Sequence, residues 1–135
     1  MPTSRSSSVS ASDPRGVANI RPLRIAGQIV EPGYTRDLQL KFSESYLGSS
    51  VTVPLRVIRS DKEGPIVLIT GGIHGDELTG VGIVRELLYD RPPVLMRGSL
   101  VCIPVVNTYG LENQSRYLPD HRDLNRSFPG IAEGS

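Results

Sequence analysis

The chain has 135 residues, a single cysteine and a net charge of +1, from 15 basic and 14 acidic residues. That length suits one domain with a modest core, and the near-neutral charge gives no electrostatic case for binding nucleic acid or an anionic membrane. No apolar run approaches the roughly 20 residues of a membrane span, and the N-terminus lacks the apolar segment of a secretory signal. We therefore expect a cytoplasmic protein without an internal disulfide, and the sequence leaves its oligomeric state open.

The first segment in chain order, residues 1–20, is rich in serine and poor in large apolar groups. Such a segment buries too little surface to offset its ordering entropy, so we expect a disordered tail. Residues 21–135 are predicted to form one folded unit.

Residues 22–60 are predicted to form short strands separated by turns. The run "LRIAGQIV" precedes "EPGYT", in which Pro32 and Gly33 suit the centre of a type II turn. The runs "LQLKF" and "VTVPLRVI" alternate apolar and polar residues, as strands with one buried face do. Pro54 in the second run predicts a sheet edge or a bulge there, because proline cannot donate to a β ladder.

Residues 65–106 read as strand, helix and strand. "PIVLITG" is a continuous apolar run, typical of a strand covered on both faces, and "SLVCIPVVN" is a second. Between them "ELTGVGIVRELLYD" has apolar residues near helical spacing, with Ile83 or Val84 as alternatives for one position, and "DRPP" ends the helix. The order predicts a right-handed βαβ unit with parallel strands, and Cys102 in the second run predicts a buried, unreactive thiol.

Polar residues follow both of these strands. "GGIHGDE" follows the first, and the long segment "NTYGLENQSRYLPDHRDLNR" follows the second. Sites in open α/β sheets form beyond the carboxyl ends of strands, and long loops in such proteins usually carry function. We expect both sets of side chains to face one crevice.

A nucleotide-binding βαβ module is one interpretation of the glycine-rich turn after the first strand. The turn lacks the G-x-G-x-x-G and G-K-[ST] patterns, and it places Asp76 and Glu77 where an anion would bind. Like charges 4 Å apart repel by about 4 kcal/mol at an effective dielectric constant of 20. The turn therefore favours a cation.

His74 and Glu77 form an H-x-x-E pattern at this turn. Imidazole nitrogen and carboxylate oxygen are the ligands of catalytic zinc in sites with two histidines and one glutamate. The alternatives are ordinary: a loop histidine is usually just hydrogen-bonded, and a glutamate in a first helical turn often only complements the helix dipole. The spacing alone leaves these interpretations open.

"GGIHGDELTG" followed by "PVVNTYGLENQSRYLPDHRDLNRSFPG" resembles the succinylglutamate desuccinylase/aspartoacylase family, a group of zinc carboxypeptidase-like hydrolases. The resemblance is strong over residues 65–135 and loose over residues 22–64. It implies an α/β fold with a carboxypeptidase-like mixed sheet and flanking helices, preceded here by short N-terminal β-strands. It also implies Zn²⁺ as cofactor, and hydrolysis of the amide bond in an N-acyl amino acid or a similar small carboxylate.

The resemblance implies metal-site roles for three residues. His74 and Glu77 match the first two zinc ligands, and Asp123 in "DLNR" matches an acid that supports the zinc-binding histidine. A carboxylate in that place fixes the tautomer and orientation of the imidazole ring.

Three further residues match positions that contact substrate. Asn125 and Arg126 match the pair that binds the substrate carboxylate, and Arg116 in "SRYLPD" matches the catalytic arginine that polarises the scissile carbonyl. The planar fork of arginine suits a carboxylate, and a cation near zinc suits a developing oxyanion. His121 and Arg122 match no family role and are expected at the surface, and a solvated loop held by local ion pairs is the alternative for the whole segment.

The chain departs from the family pattern after "FPG". The family's second zinc histidine and its catalytic glutamate are expected beyond that point. The sequence after "FPG" contains no histidine and one glutamate, Glu133. Only two parallel strands are evident, so the sheet looks incomplete. We therefore expect an N-terminal portion of a larger enzyme, inactive alone. The alternative is a non-catalytic remnant that binds a metal or a partner.

Overall fold

The computed structural model describes residues 20–44 and 50–130. Nearly all of the predicted serine-rich tail, residues 1–19, lies outside the described residues. So do residues 45–49 and 131–135.

The described chain opens with an antiparallel hairpin of β1 (Leu23–Ile25) and β2 (Gln28–Val30). Ala26 and Gly27 join the two strands with φ of 51° and 71°. Positive φ at both central residues is typical of a type I′ hairpin turn, which matches the twist of the flanking strands. The run "LRIAGQIV" contains no Asn-Gly or Asp-Gly signal, so this turn was not predicted from it. The next turn agrees with its prediction, because Gly33 has φ of 80° and the Tyr34 N–H donates to the Glu31 carbonyl at 3.3 Å.

A four-stranded sheet forms the centre of the fold. Its strands are β3 (Thr35–Glu44), β4 (Ser50–Arg59), β5 (Ile66–Thr70) and β6 (Ser99–Ile103), in the spatial order β3-β4-β6-β5. β5 and β6 run parallel, and the other neighbours are antiparallel. The predicted mixed sheet with flanking helices is confirmed, as is the parallel pairing of the two apolar runs.

Pro54 lies in the middle of β4, which is an inner strand of this sheet. Its register partner on β3 is Gln39, whereas the pairing of β4 with β6 begins only at Arg56. At Pro54, β4 is therefore a local edge. This position agrees with the expectation drawn from a residue that cannot donate to a ladder on both sides.

In the described ranges, two α-helices, one π-helical turn and one 3₁₀ turn flank the sheet. They are α1 (Leu78–Arg85), a π-helical turn (Glu86–Asp90), α2 (Thr108–Glu112) and a 3₁₀ turn (Leu124–Arg126). The helix predicted between the apolar strands is confirmed, and it ends at Asp90 before the two prolines. None of the helices in the described ranges is long and apolar enough to cross a membrane.

The core has a layer on each face of the sheet. The β1–β2 hairpin covers one face, and the buried residues there are Val30, Leu38, Val53, Leu55, Val57, Val101 and Ile103. Val84 of α1 and Leu88 of the π turn pack on the other face against Ile58, Leu100 and Cys102. Each fully buried aliphatic side chain contributes about 1.5–3 kcal/mol. Cys102 is fully buried, and burial raises the pKa of its thiol, as expected of an unreactive cysteine.

β5 differs from its predicted environment. The continuous apolar run predicted a strand covered on both faces, yet Ile66, Val67 and Leu68 are 61%, 48% and 58% exposed. The reason is the position of α1, whose buried side chains pack over β4 and β6. Within the described residues, β6 is the only strand paired with β5.

Candidate metal centre and active site

The candidate site begins where the parallel strands β5 and β6 end. The ladder continues past both strands: the Gly71 N–H donates to the Ile103 carbonyl at 2.8 Å, and the Asn107 N–H donates to the Gly72 carbonyl at 3.0 Å. The two segments that leave the sheet therefore start side by side. This is the carboxyl edge of the parallel pair, where sites in α/β sheets form.

His74 is 3% exposed, unlike an ordinary loop histidine. Its Nε2 lies 3.0 Å from Asp123 Oδ1, a hydrogen bond that leaves Nδ1 on the opposite side of the ring. Nδ1 is buried 2.9 Å from Glu77 Oε1, but a hydrogen on Nδ1 would not point at that oxygen, and no hydrogen-bond partner is present for it in the described part of the chain. A buried nitrogen and a carboxylate oxygen thus face each other without a good hydrogen bond.

Glu77 directly precedes α1, but its side chain makes no hydrogen bond to the N-terminus of that helix. Its carboxylate instead lies beside His74, with Arg116 Nη1 at 3.4 Å. Glu77 therefore does not cap a backbone N–H of α1, although its carboxylate still lies at the positive end of the helix dipole. An open cavity of about 470 Å³ adjoins Glu77, Asp76 and Thr70, within the size range of small-molecule sites.

Arg116 and Asp123 complete the cluster from the segment after β6. Arg116 donates to Asp123 Oδ2 from Nη2 at 3.1 Å and from Nε at 3.3 Å. The hydrogen bond with Asp123 raises the pKa of Arg116. Burial alone would raise the pKa of Asp123, but the hydrogen bonds from His74, the Asn125 N–H and Arg116 outweigh it and lower that pKa. Both groups are therefore charged at neutral pH.

Asn125 and Arg126 lie next to this cluster in the 3₁₀ turn. The Asn125 N–H donates to Asp123 Oδ1 at 2.9 Å, and both side chains are exposed. Among the described residues, no side-chain hydrogen bond or ion pair joins either of them to the rest of the cluster. His121 and Arg122 are exposed, as expected, and Arg122 pairs locally with Asp120 at 3.5 Å.

The cluster offers part of the donor set that a metal ion needs. His74 and Glu77 offer an unpartnered imidazole nitrogen and a carboxylate oxygen, and Asp123 holds the far side of the ring, as a supporting carboxylate does in zinc sites. These residues fit a zinc ion. Across residues 20–44 and 50–130, however, no group of three or more His, Cys, Asp or Glu side chains is placed to hold a metal.

The sequence analysis missed the residues that hold the two site segments together. Asn107 is 1% exposed, and its Oδ1 accepts from the Gly110 N–H at 2.8 Å at the start of α2. The Gly75 N–H donates to the Ser115 carbonyl at 2.9 Å. An asparagine three residues before a glycine, directly after an apolar strand, is a capping signal that could have identified Asn107. No pattern indicates the contact between Gly75 and Ser115, because it joins two backbones distant in sequence.

Comparison with known proteins agrees with this geometry. The profile of the succinylglutamate desuccinylase/aspartoacylase catalytic domain matches residues 63–135, which include every residue of the cluster. The chain belongs to this family. The motif resemblance is thereby confirmed, and the family gives no support to a nucleotide-binding module.

Individual relatives extend the likeness toward the N-terminus. The chain is 36% identical over 107 residues to an N-alpha-acetyl-L-2,4-diaminobutyric acid deacetylase of Halomonas elongata, covering 78% of this chain and 30% of the relative. It is 40% identical over 62 residues to a human N-acyl-aromatic-L-amino acid amidohydrolase (carboxylate-forming), covering 46% of this chain and 19% of that protein. An aspartoacylase family protein from Mesorhizobium loti has the same fold, with a TM-score of 0.67 and 29% identity over 85% of this chain and 35% of that one. The chain thus spans at most about a third of these relatives.

Proposed function

We propose that this chain carries the first two zinc ligands, the catalytic arginine and the substrate-binding Asn125 and Arg126 of a hydrolase that cleaves the amide bond of N-acyl amino acids. The observation that carries the proposal is the buried His74 ring, with Asp123 on Nε2 and an unpartnered Nδ1 facing Glu77. In the neutral tautomer with a hydrogen on Nε2, Nδ1 presents a lone pair to a carboxylate oxygen 2.9 Å away. Two electron-pair donors at that separation repel each other, and a metal cation bound by both would remove that repulsion.

His74 Nδ1 and Glu77 would hold the zinc ion, and Asp123 would keep the imidazole in the tautomer that leaves Nδ1 free. Bound zinc would lower the pKa of a water molecule toward about 7 and polarise the substrate carbonyl. His74 and Glu77 themselves move no proton in this scheme. A separate carboxylate is needed as the general base.

Arg116 would stabilise the negative charge that develops on the oxygen of the scissile carbonyl. Its guanidinium lies beside both Glu77 and Asp123, so it is already held next to the metal position. A fixed cation there is worth more in the transition state than in the ground state, because the oxyanion carries the larger charge.

Arg126 and Asn125 would bind the carboxylate of the substrate. Both side chains are exposed beside Asp123, which leaves their donors available. The guanidinium of Arg126 can bind a carboxylate with two parallel hydrogen bonds, which fixes orientation as well as charge.

The substrate class rests on the relatives. One is named for removing an acetyl group from N-alpha-acetyl-diaminobutyrate, and another for hydrolysing N-acyl aromatic amino acids. Both compounds share an amide on the α-nitrogen and a free α-carboxylate and differ in the side chain. We therefore propose that the residues of this chain bind the part that the two substrates share, the amide and the α-carboxylate.

We further propose that the chain alone binds zinc weakly and is catalytically inactive. Catalytic zinc is normally held by three protein ligands, and the cluster supplies two. No general base has been identified in it either. The alternative is a non-catalytic remnant that binds metal. Hydrolysis that appears once a third metal donor and a general base are supplied would favour the enzyme, and its absence would favour the remnant.

Zinc titration into the purified chain tests the metal assignment. We expect one weak site per chain, lost when His74 and Glu77 are both replaced by alanine, because the two ligands are then absent. Asp76→Ala and His121→Ala are matched controls, since they remove the adjacent acid and the other histidine, and should leave binding unchanged. Hydrolysis of N-acetylated diaminobutyrate and aromatic amino acids is assayed alongside.

Unchanged zinc stoichiometry in the double variant would contradict the ligand assignment. Tight binding that is lost in His121→Ala, together with turnover above background, would show that His121 is the third ligand. That result would overturn the proposal that the chain alone is inactive.

A further inference from the structure

Gly75 and Gly110 make a close backbone contact between the two segments of the site. Both are buried, and a Cβ built on Gly75 would overlap the carbonyl carbon and oxygen of Gly110. The obstacle is backbone, which cannot rotate away as a flexible side chain can. Gly75 has no positive φ that would by itself exclude alanine, so the absence of a side chain there is a packing requirement.

Hydrogen bonds close a ring around this contact. The Gly75 N–H donates to the Ser115 carbonyl at 2.9 Å, and the Ser115 N–H donates to the Gly110 carbonyl at 2.8 Å. Gly75 follows His74, and Ser115 precedes Arg116. The bond between them therefore fixes the backbone beside the proposed zinc ligand to the backbone beside the proposed catalytic arginine.

Asn107 anchors the far side of the ring to the sheet. Its Oδ1 accepts from the Gly110 N–H at 2.8 Å, and its N–H donates to the Gly72 carbonyl at 3.0 Å. Its Nδ2 also approaches the Tyr117 carbonyl, one residue after Arg116, at 3.5 Å. The segment that carries Arg116 is thus connected to the segment that carries His74 on both sides of the glycine contact.

We propose that Gly75 is a positioning residue, assisted by Asn107: the contact of Gly75 with Gly110 sets the position of Arg116 relative to His74. The inference rests on the proposed function for the roles of His74 and Arg116. Gly75 touches neither metal nor substrate and acts through the two backbones that it holds together.

Gly75→Ala tests the proposal in the ¹⁵N-labelled chain, with the Arg116 Nε–H signal assigned by Arg116→Lys. In the variant we expect this signal to move toward the position of a free arginine, because its bond to Asp123 is lost. The Kd for zinc should rise roughly tenfold or more, as it does when groups that orient metal ligands are lost. The amide signals of β6 should stay in place, which separates loss of positioning from loss of the fold. Gly82→Ala is the matched control, since a Cβ there meets nothing within 4 Å.

An unmoved Arg116 signal in Gly75→Ala would overturn the proposal. If Gly75→Ala unfolds the chain, Asn107→Ser decides the question. Serine keeps an acceptor for the Gly110 N–H but lacks the donor to Tyr117. Asn107→Ser should move the Arg116 Nε–H signal toward that of a free arginine while the β6 amide signals stay in place. An unmoved Arg116 signal in this variant would also overturn the proposal. Absence of zinc binding in the unaltered chain would count against the proposed function alone, because the Arg116 signal reports positioning without metal.

Discussion

Asp123 is the side chain on which the cluster converges. It accepts from His74 through Oδ1, from Arg116 through Oδ2, and from the Asn125 N–H, and its side chain is 15% exposed. A carboxylate so placed fixes one ring nitrogen of His74 and leaves the other available for a ligand.

Replacing Asp123 by asparagine should weaken zinc binding by roughly 10–100-fold, the range reported for groups that orient metal ligands. The amide keeps the shape of the carboxylate but loses the charge that selects the tautomer of His74. The measurement is competition with a chromophoric chelator. Asp120→Asn is the matched control, because Asp120 pairs with Arg122 at the surface, and equal affinities in the two variants would contradict the role of Asp123.

At the residue scale, the sequence was most informative where chemistry is carried by side chains in a motif. The motifs alone indicate His74, Glu77, Arg116 and Asp123, and the structure brings all four side chains together. The sequence does not indicate Gly75 and Ser115, because they bind each other through backbone groups 40 residues apart. Asn107 also binds through its backbone, to Gly72 35 residues away, and only its side-chain cap of α2 has a sequence signal.

Among the elements, β3, β4 and the π turn are joined by Arg56. Asp37 and Arg56 are register partners on the two strands, joined by two hydrogen bonds of 2.6 Å. Arg56 also donates to the Leu88 carbonyl at 3.0 Å and stacks 4.1 Å from the centre of the Tyr89 ring. The hydrogen bond from Arg56 lowers the pKa of Asp37, and burial opposes it weakly.

A pH dependence follows from that shift. A carboxylate with a lowered folded pKa contributes stability above its unfolded pKa, about 3.9, and loses it as pH falls through the folded pKa. Asp37→Asn should lower the free energy of unfolding at pH 7 by about 1 kcal/mol or less, because the Asp37 side chain is 62% exposed. Urea unfolding from pH 7 to pH 2.5 should show the difference shrinking below about pH 4, and a difference that stays constant to pH 2.5 would contradict the prediction. Glu63→Gln, at an exposed turn residue, serves as control.

The type and order of most elements could be predicted from the sequence. The turn between β1 and β2 and the exposure of β5 could not. The short continuous apolar runs "PIVLITG" and "SLVCIPVVN" predicted β5 and β6, and the helical spacing of apolar residues in "ELTGVGIVRELLYD" predicted α1. The β1–β2 turn was missed because Ala26 takes a positive φ that alanine rarely adopts. The openness of β5 could not be read from its sequence either, because it depends on which strands α1 covers.

The whole molecule has an asymmetric sheet. In the part of the chain that the structure describes, β3 lies at one edge of the sheet and β5 at the other, and β5 has exposed apolar side chains on successive residues. A flat apolar edge with unpaired backbone groups is a template for pairing with another chain.

We therefore expect the chain to self-associate with rising concentration, and Ile66→Lys with Leu68→Lys to reduce this. Lysine on an edge strand opposes pairing by charge and desolvation. Light scattering over a concentration series measures the effect. Val94→Lys is the matched control, because Val94 is 97% exposed in a connecting segment outside the strands. Equal scattering by the edge variants and the control would show that β5 is not the contact.

The hydrogen bonds that continue beyond β5 and β6 make the chain tolerate insertions at some positions and not at others. One residue added between Gly71 and His74 would break the hydrogen bonds that the Gly71 and Gly72 carbonyls accept from the segment after β6, or would carry the histidine away from Asp123. Val94 and Met96 are almost fully exposed in the connection between the π turn and β6. This connection can lengthen without moving the carboxyl ends of β5 and β6. Among related sequences, insertions and deletions should therefore occur around residues 92–96, while the spacing from Gly71 to His74 stays invariant.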